Sequence, residues 1–432
     1  MRATSVGTEV APARSAGGDF SRILELRDIQ PVFQPLIDFE TGQTVGYEAL
    51  ARGPAGTRWE SPAALFEEAY RTGRVPELDW ICRVAAFRAA LLAGLHPSMS
   101  LFVNSEPITA GTPCPPDLRD VMAAAGRDLR VVLEVTERAV ARDPAGLLAA
   151  VADARRAGWG IALDDVGAEP GSLAVMPFVA PDVIKLDLGL IQRRTTGEVA
   201  SIVNAVLAQA ERTGATILAE GVETARHARV ATAMGATLAQ GWYYGRPGPL
   251  PGDGLQTSRS LRAPGAVPPV GATPYQIVSA HRSTARATKE LLLPMSMHLE
   301  RKGLDAAEPI VLLACFQQAG NFGAGTQRRF ARLASQAAFV GALGTGMAKL
   351  PVPGVLGGLL HDDDPIRGEW DVVAIGPHFA GALVALDCGD AGPDRERRFD
   401  FAITHDRALV TEAARAMLTR LVPAVADGQP AG

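Results

Sequence analysis

The chain has 432 residues, 47% apolar and 21% charged, which excludes a wholly disordered or collagen-like protein and leaves room for two or three domains. Its 42 Lys and Arg against 47 Asp and Glu leave a net charge of -5, which argues against a broad basic surface for DNA or RNA. The cysteines Cys82, Cys114, Cys315 and Cys388 form no CxxC pair, and no uncharged apolar run reaches the roughly 20 residues that span a bilayer, so a reduced, cytoplasmic protein without a membrane segment is expected.

Residues 1–19, rich in small residues and lacking the apolar core of a signal peptide, read as a disordered leader. Over residues 20–250, short runs rich in Val, Ile and Leu alternate with Ala-rich segments of helical spacing, the pattern of strands and crossover helices around a parallel sheet. Strands are predicted at 32–37, 45–51, 100–104, 130–135, 160–164, 183–187, 216–220 and 238–243. Helices are predicted at 62–71, 78–92, 144–157, 199–213 and 225–234. Eight strands in a stretch of this length predict a closed α/β barrel of the TIM (β/α)8 type.

Such a barrel carries its chemistry at the C-terminal ends of its strands, and here those ends are acidic. Glu48 lies in the second strand, Asn104 closes the third, Glu134 the fourth, Asp164 and Asp165 the fifth, Lys185 and Asp187 the sixth, Glu220 the seventh and Gln240 the eighth. A single carboxylate at a strand end is commonly a helix cap or a solvated loop residue, but several at one mouth repel one another unless a cation offsets them. Oxygen donors without His or Cys suit a hard ion such as Mg2+ or Mn2+, and two such ions close together are a recurring device for phosphodiester hydrolysis.

Glu48-Ala49-Leu50 followed by Arg52 resembles the signature of the EAL phosphodiesterase family. Phe33-Gln34-Pro35, Val103-Asn104, Leu133-Glu134-Val135-Thr136-Glu137, Asp164-Asp165, Lys185-Leu186-Asp187, Glu220-Gly221-Val222-Glu223-Thr224 and Gln240-Gly241 resemble further motifs of that family, in its order. The resemblance implies hydrolysis of cyclic di-GMP to pGpG with two divalent cations, Mg2+ or Mn2+. It implies Glu48, Asn104, Glu134 and Asp164 as ligands of one ion, and Asp164, Asp165 and Glu220 as ligands of the other. Lys185 would position or polarise the attacking water, and Glu220 has two competing roles, general base and ligand. Substrate contacts are implied at Gln34, Leu50, Arg52, Asp187, Glu223 and Gln240, with Arg52 at a phosphate, and Glu137 would steady the loop after the aspartate pair.

That loop, Val166-Gly167-Ala168-Glu169-Pro170-Gly171-Ser172, departs from the family pattern of Asp-Asp-Phe-Gly followed by Thr-Gly and paired serines. In the family it links the metal site to dimerisation, so the departure bears on regulation through a homodimer and not on the ligand set. A non-catalytic receptor or scaffold for cyclic di-GMP is the alternative reading. Its usual mark would be missing metal ligands, and all of them are present in this sequence.

Residues 251–271, rich in Pro and Gly, read as a linker. Beyond it, residues 272–422 predict a smaller α/β domain with helices at 275–293, 325–338 and 408–421 and strands at 309–316, 370–376, 382–386 and 399–403. Residues 369–379 and 382–387 resemble the DICT domain, which implies a sensory and regulatory module with a ligand or partner of its own. His361-Asp362-Asp363-Asp364 reads as a solvated loop, and residues 423–432 as a disordered tail.

Overall fold

A computed structural model describes residues 16–109, 111–136, 143–168, 171–194, 196–252, 261, 265, 271–305 and 308–422. Residues 1–15 of the expected leader, the expected tail, most of the expected linker, and Glu137, Glu169 and Pro170 lie outside the described residues.

Eight strands close a barrel in chain order: β1 (Val32–Asp38), β2 (Thr44–Leu50), β3 (Ser100–Asn104), β4 (Arg130–Thr136), β5 (Gly160–Val166), β6 (Val183–Leu186), β7 (Thr216–Ala219) and β8 (Leu238–Ala239). Around them lie α1 (Ala16–Leu26), α2 (Pro62–Thr72), α3 (Val75–Leu92), α4 (Arg119–Asp128), α5 (Pro144–Arg156), α6 (Ser172–Val179), α7 (Leu188–Gln192), α8 (Gly197–Thr213) and α9 (Ala225–Ala233). The all-parallel expectation fails at one strand, because β1 is antiparallel to both β2 and β8 while the other neighbouring pairs are parallel. Only residues 39–43 separate β1 from β2, and a parallel crossover needs a dozen or more, so the connection has to be a hairpin.

Side chains two apart on a strand share a face, and this period organises the lumen. Leu36, Val45, Phe102, Val132, Ala162, Val183, Leu218 and Leu238 form one buried apolar cluster with one member from each strand. Two residues beyond six of these stand Asn104, Glu134, Asp164, Lys185, Glu220 and Gln240. The apolar plug therefore forms the floor on which a polar ring stands. Leu261 of the linker packs against the plug, with its carbonyl accepting from Arg130.

The second unit is a seven-stranded mixed sheet in the order β12-β11-β10-β13-β14-β15-β9. Its strands are β9 (Ala285–Thr288), β10 (Val311–Gln318), β11 (Phe339–Thr345), β12 (Leu356–Leu359), β13 (Glu369–Ile375), β14 (Ala380–Asp387) and β15 (Arg398–Thr404). The predicted helix over 275–293 is broken into α10 (Pro274–Ser279), the edge strand β9, and the start of α11 (Lys289–Asp305). Apolar spacing alone does not exclude an edge strand, and β9 is held by pairing with β15 and by the Arg286–Asp400 ion pair at 2.8 Å. Strands β11 and β12 were not predicted because glycines dilute their β-propensity. One of them is a packing necessity: a Cβ at Gly357 would lie 1.8 Å from the Ala348 carbonyl oxygen. Asp364, in the expected solvated loop, caps the turn that follows and pairs with Arg420 at 2.7 Å.

Helices α11 and α12 (Ala324–Ala334) cover one face of this sheet, with Leu292, Leu299, Phe330 and Leu333 packed in one buried cluster with Leu312, Val372 and Leu383. The opposite face packs on α10 and α13 (Arg407–Leu418). Helix α13 also packs on α5 and α6 of the barrel, so one buried cluster runs from the barrel's outer layer through α13 into the second sheet. Every residue of α6 is buried. A fragment of residues 20–250 removes this cover, and is expected to bind more of a hydrophobic dye and to unfold at a lower Tm than the full chain. Equal dye binding and equal Tm would show that the shared layer contributes nothing.

Candidate active site

The polar ring is centred on Lys185, which is 1% exposed. Its ammonium lies 2.7 Å from Glu134 Oε1, 2.8 Å from Asp164 Oδ1, 2.8 Å from Glu220 Oε1 and 3.7 Å from Glu48 Oε2. Asn104 donates to Glu48 Oε1 at 3.3 Å, and Gln240 donates to Glu48 Oε2 at 2.5 Å and to Gln34 Oε1 at 3.1 Å. Gln34 and Glu48 are themselves cross-strand partners of the β1–β2 hairpin. The antiparallel first strand thus supplies one side of the ring.

Successive strand residues point to opposite faces, so Asp164 and Asp165 could not both reach the mouth from a regular strand. The chain solves this with an irregularity in β5 between Leu163 and Val166, where Asp165 takes φ +55. Asp tolerates this left-handed conformation better than most residues, and the Asp165 amide donates to Asp164 Oδ1 at 3.0 Å. Carboxylate oxygens of Asp164, Asp165 and Glu220 consequently lie within 4.8 Å of one another. At the other side, Gly241 follows Gln240 with its Cα against the backbone of Val222, where a Cβ would fall 2.2 Å from the carbonyl oxygen. The close approach fixes Gln240 beside the loop that carries Glu220.

Burial pushes the Glu220 carboxyl up to about 8 against the opposing pull of Lys185, and pushes Glu134 up with the help of the neighbouring Glu48 charge. Burial alone would lower Lys185, but Asp164, Glu134, Glu220 and Glu48 outweigh it and hold the ammonium charged. One ammonium cannot balance this set of carboxylates. Buried Glu134 Oε2 and Gln240 Oε1 meet no hydrogen-bond donor among the described residues. A site with surplus negative charge, orphaned oxygens and an all-oxygen donor set fits hard divalent cations.

The remaining expected residues stand around this centre. Leu50 and Arg52 are half-buried at the end of β2, where Arg52 donates to the Ala51 carbonyl at 2.7 Å. Asp187 caps α7 by accepting from the Gly189 amide at 2.7 Å, and Glu223 is exposed. A cleft of about 330 Å³ opens beside the ring, lined by Leu50, Phe66, Asp79, Arg83, Asn104 and Glu106 among others. Asp79 and Arg83, a buried pair at 2.7 Å, were missed in the sequence reading. Their signal was present: an Asp and an Arg one turn apart on the apolar face of a helix that otherwise reads as core.

The family model for the EAL domain matches residues 18–247, and that for the "Sensory domain in DIguanylate Cyclases and Two-component system" matches residues 275–387. The chain is similar to the probable cyclic di-GMP phosphodiesterase PdeB of Escherichia coli, 29% identical over 227 residues that cover 52% of this chain and 43% of that protein. It is similar to the bifunctional diguanylate cyclase/cyclic di-GMP phosphodiesterase MucR of Pseudomonas aeruginosa, 28% identical over 243 residues that cover 54% of this chain and 35% of that protein. The chain therefore spans less than half the length of either relative. Among solved structures, the PaMucR phosphodiesterase in complex with c-di-GMP aligns with a TM-score of 0.46 at 29% identity, covering 54% of this chain and 96% of that one. Klebsiella pneumoniae BlrP1 with manganese and cy-diGMP aligns with a TM-score of 0.45 at 29% identity, covering 51% and 56%. With the EAL match extending over more than half of its residues and following the motifs that build the ring, the chain belongs to the EAL family and carries a DICT sensory domain behind its barrel.

Proposed function

We propose that the barrel hydrolyses cyclic di-GMP to pGpG with two divalent cations, Mg2+ or Mn2+, and that the DICT domain regulates this activity. The observation that carries the reading is the ring of carboxylates gathered over an apolar floor around one lysine. Glu48, Asn104, Glu134 and Asp164 would hold one cation, and Asp164, Asp165 and Glu220 the other. When bound, such ions polarise a phosphoryl oxygen and lower the pKa of water. Lys185, held charged and excluded from bulk solvent, would orient the attacking water. Glu220 lies within reach of Lys185, and its competing role, in place of the ligand role, would be to accept the proton that the water loses.

The cleft beside the ring suits one guanine base. Leu50 and Phe66 offer apolar contact, and the Asp79–Arg83 pair lies in the polar part of its lining. Gln34, Gln240 and Glu223 would line the path of the dinucleotide, and Asp187 would act through its cap on α7. The Arg52 guanidinium makes a single side-chain hydrogen bond among the described residues, to a neighbouring carbonyl, which leaves donors for a phosphate.

Incubating the purified protein with cyclic di-GMP and Mg2+ or Mn2+ should yield pGpG on chromatography, and chelation should stop turnover while the far-UV helix signal persists. Binding of cyclic di-GMP without product would assign the chain to the receptor class instead. Asp164→Asn is expected to cost more than about 100-fold in kcat/KM and Glu223→Gln less than about tenfold, because of these two only Asp164 would be a ligand, and of both proposed cations. Comparable losses would remove the bridging role.

The raised carboxyls make a separate prediction. With Glu220 pushed up to about 8, the metal-free ring keeps a proton near neutral pH that a bound cation must displace. Titration calorimetry with Mn2+ in buffers of different ionisation enthalpy should therefore show proton release below about pH 8. Affinity should rise with pH toward that value and level off above it. Proton-neutral binding at pH 7 would contradict this assignment.

A further inference from the structure

Helix α6 ends where its own chain cannot finish it. The carbonyl of Pro177 would ordinarily accept from the amide four residues on, but that residue is Pro181, which has none. The carbonyl of Phe178 would accept from Asp182, whose amide is engaged with the Ile161 carbonyl at 2.8 Å. Both orphaned oxygens are satisfied from the other domain: Arg415 of α13 donates from Nε to Phe178 at 2.9 Å and from Nη2 to Pro177 at 2.9 Å. A cation at a helix C-terminus is also favoured by the helix dipole. Arg155 of α5 completes the cap by donating to the Ala180 carbonyl at 2.9 Å.

The opposite end of α6 reaches the metal side. Ser172, its first residue, accepts from the Gly167 amide at 3.1 Å through Oγ, and the next amide, Ala168, donates to the Asp165 carbonyl at 3.1 Å. Gly167 packs closely on α7, where a Cβ would lie 2.5 Å from Leu190 Cδ1. A helix of eight residues, about 12 Å long, thus joins Arg415 to the left-handed turn that aims Asp165.

We propose that Arg415 of the second domain is a positioning residue for Asp165: by capping α6 it holds the Asp164–Asp165 turn, and so sets the affinity of the cation that Asp165 would bind. The inference rests on the two-cation reading of the ring. Withdrawing Arg415 leaves two buried carbonyls unpaired at one end of α6, and the helix can satisfy them only by shifting or fraying. Its other end carries that shift to Asp165. Any change in the second domain that moves α13 would act on the ring by this route.

The test titrates the full-length protein with Mn2+ alone and counts free ion by electron paramagnetic resonance, with thermal unfolding recorded in parallel. The wild type is expected to take up two ions. Arg415→Ala is expected to weaken one of them about tenfold and leave the other unchanged. Arg415→Lys keeps the charge but cannot fork onto both carbonyls, so it is expected to weaken the same ion about threefold, a measure that stands even if the alanine variant does not fold. Arg407→Ala removes donors to the Gly376, Pro377 and Phe379 carbonyls within the second domain, and should lower Tm with both ions retained. Wild-type affinities in both Arg415 variants, or a matching loss in Arg407→Ala, would overturn the proposal. Asp164→Asn separates the two levels of the argument: if it binds Mn2+ as the wild type does, the two-cation reading itself fails and the proposal with it.

Discussion

Carboxylates from Glu48, Glu134, Asp164 and Glu220 meet around one buried ammonium, and the Asp165 carboxylate joins two of them within 4.8 Å. Like charges so close, in a medium less polarisable than water, are tolerable only when protons, an internal cation or bound ions offset them. Glu134 and Glu220 respond by holding protons more tightly than a solvated carboxyl does, and Lys185 by keeping its charge against its own burial. The apolar floor beneath, one side chain from each strand, closes the lumen under this cluster. The same floor keeps the electrostatic coupling strong.

The backbone bends to serve that constraint. A regular β5 would send one of two adjacent aspartates out of the mouth, and the bulge with Asp165 in the left-handed region brings it back. At the end of β8 the bare Cα of Gly241 lies against the Val222 backbone, next to Gln240, which donates to Glu48. Reversing β1 lets a hairpin present Gln34 beside Glu48, so that Gln240 can donate to both.

Much of this was legible in the chain. The alternation of apolar runs and helical segments predicted the barrel strands, and the acidic and amide residues at the strand ends pointed to the side chains that share the mouth. The ordered motifs pointed to the family that the comparisons then showed. What escaped depends on contacts remote in sequence or on backbone geometry. The antiparallel course of β1 was encoded only in the shortness of residues 39–43. The edge strand β9 was hidden inside a helix-like pattern, and exists because β15 offers it a partner. The Asp79–Arg83 pair looked like part of an ordinary amphipathic helix until the cleft beside it was seen. The role of Arg415 required knowing that Pro181 deprives α6 of an amide, and that another domain comes within reach.

The shared layer at α13 also has a consequence in time. Synthesis runs from the N-terminus, and α13 begins at Arg407, some 228 residues after α6 ends at Val179 (407 less 179). At the usual rate of about 5–20 residues per second, α6 emerges roughly 10–45 s before the helix that covers it. During that interval the nascent barrel offers an apolar helix that its own half of the chain does not fully bury. The covering element is among the last described parts of the chain, so completion of the barrel's surface coincides with completion of the second sheet.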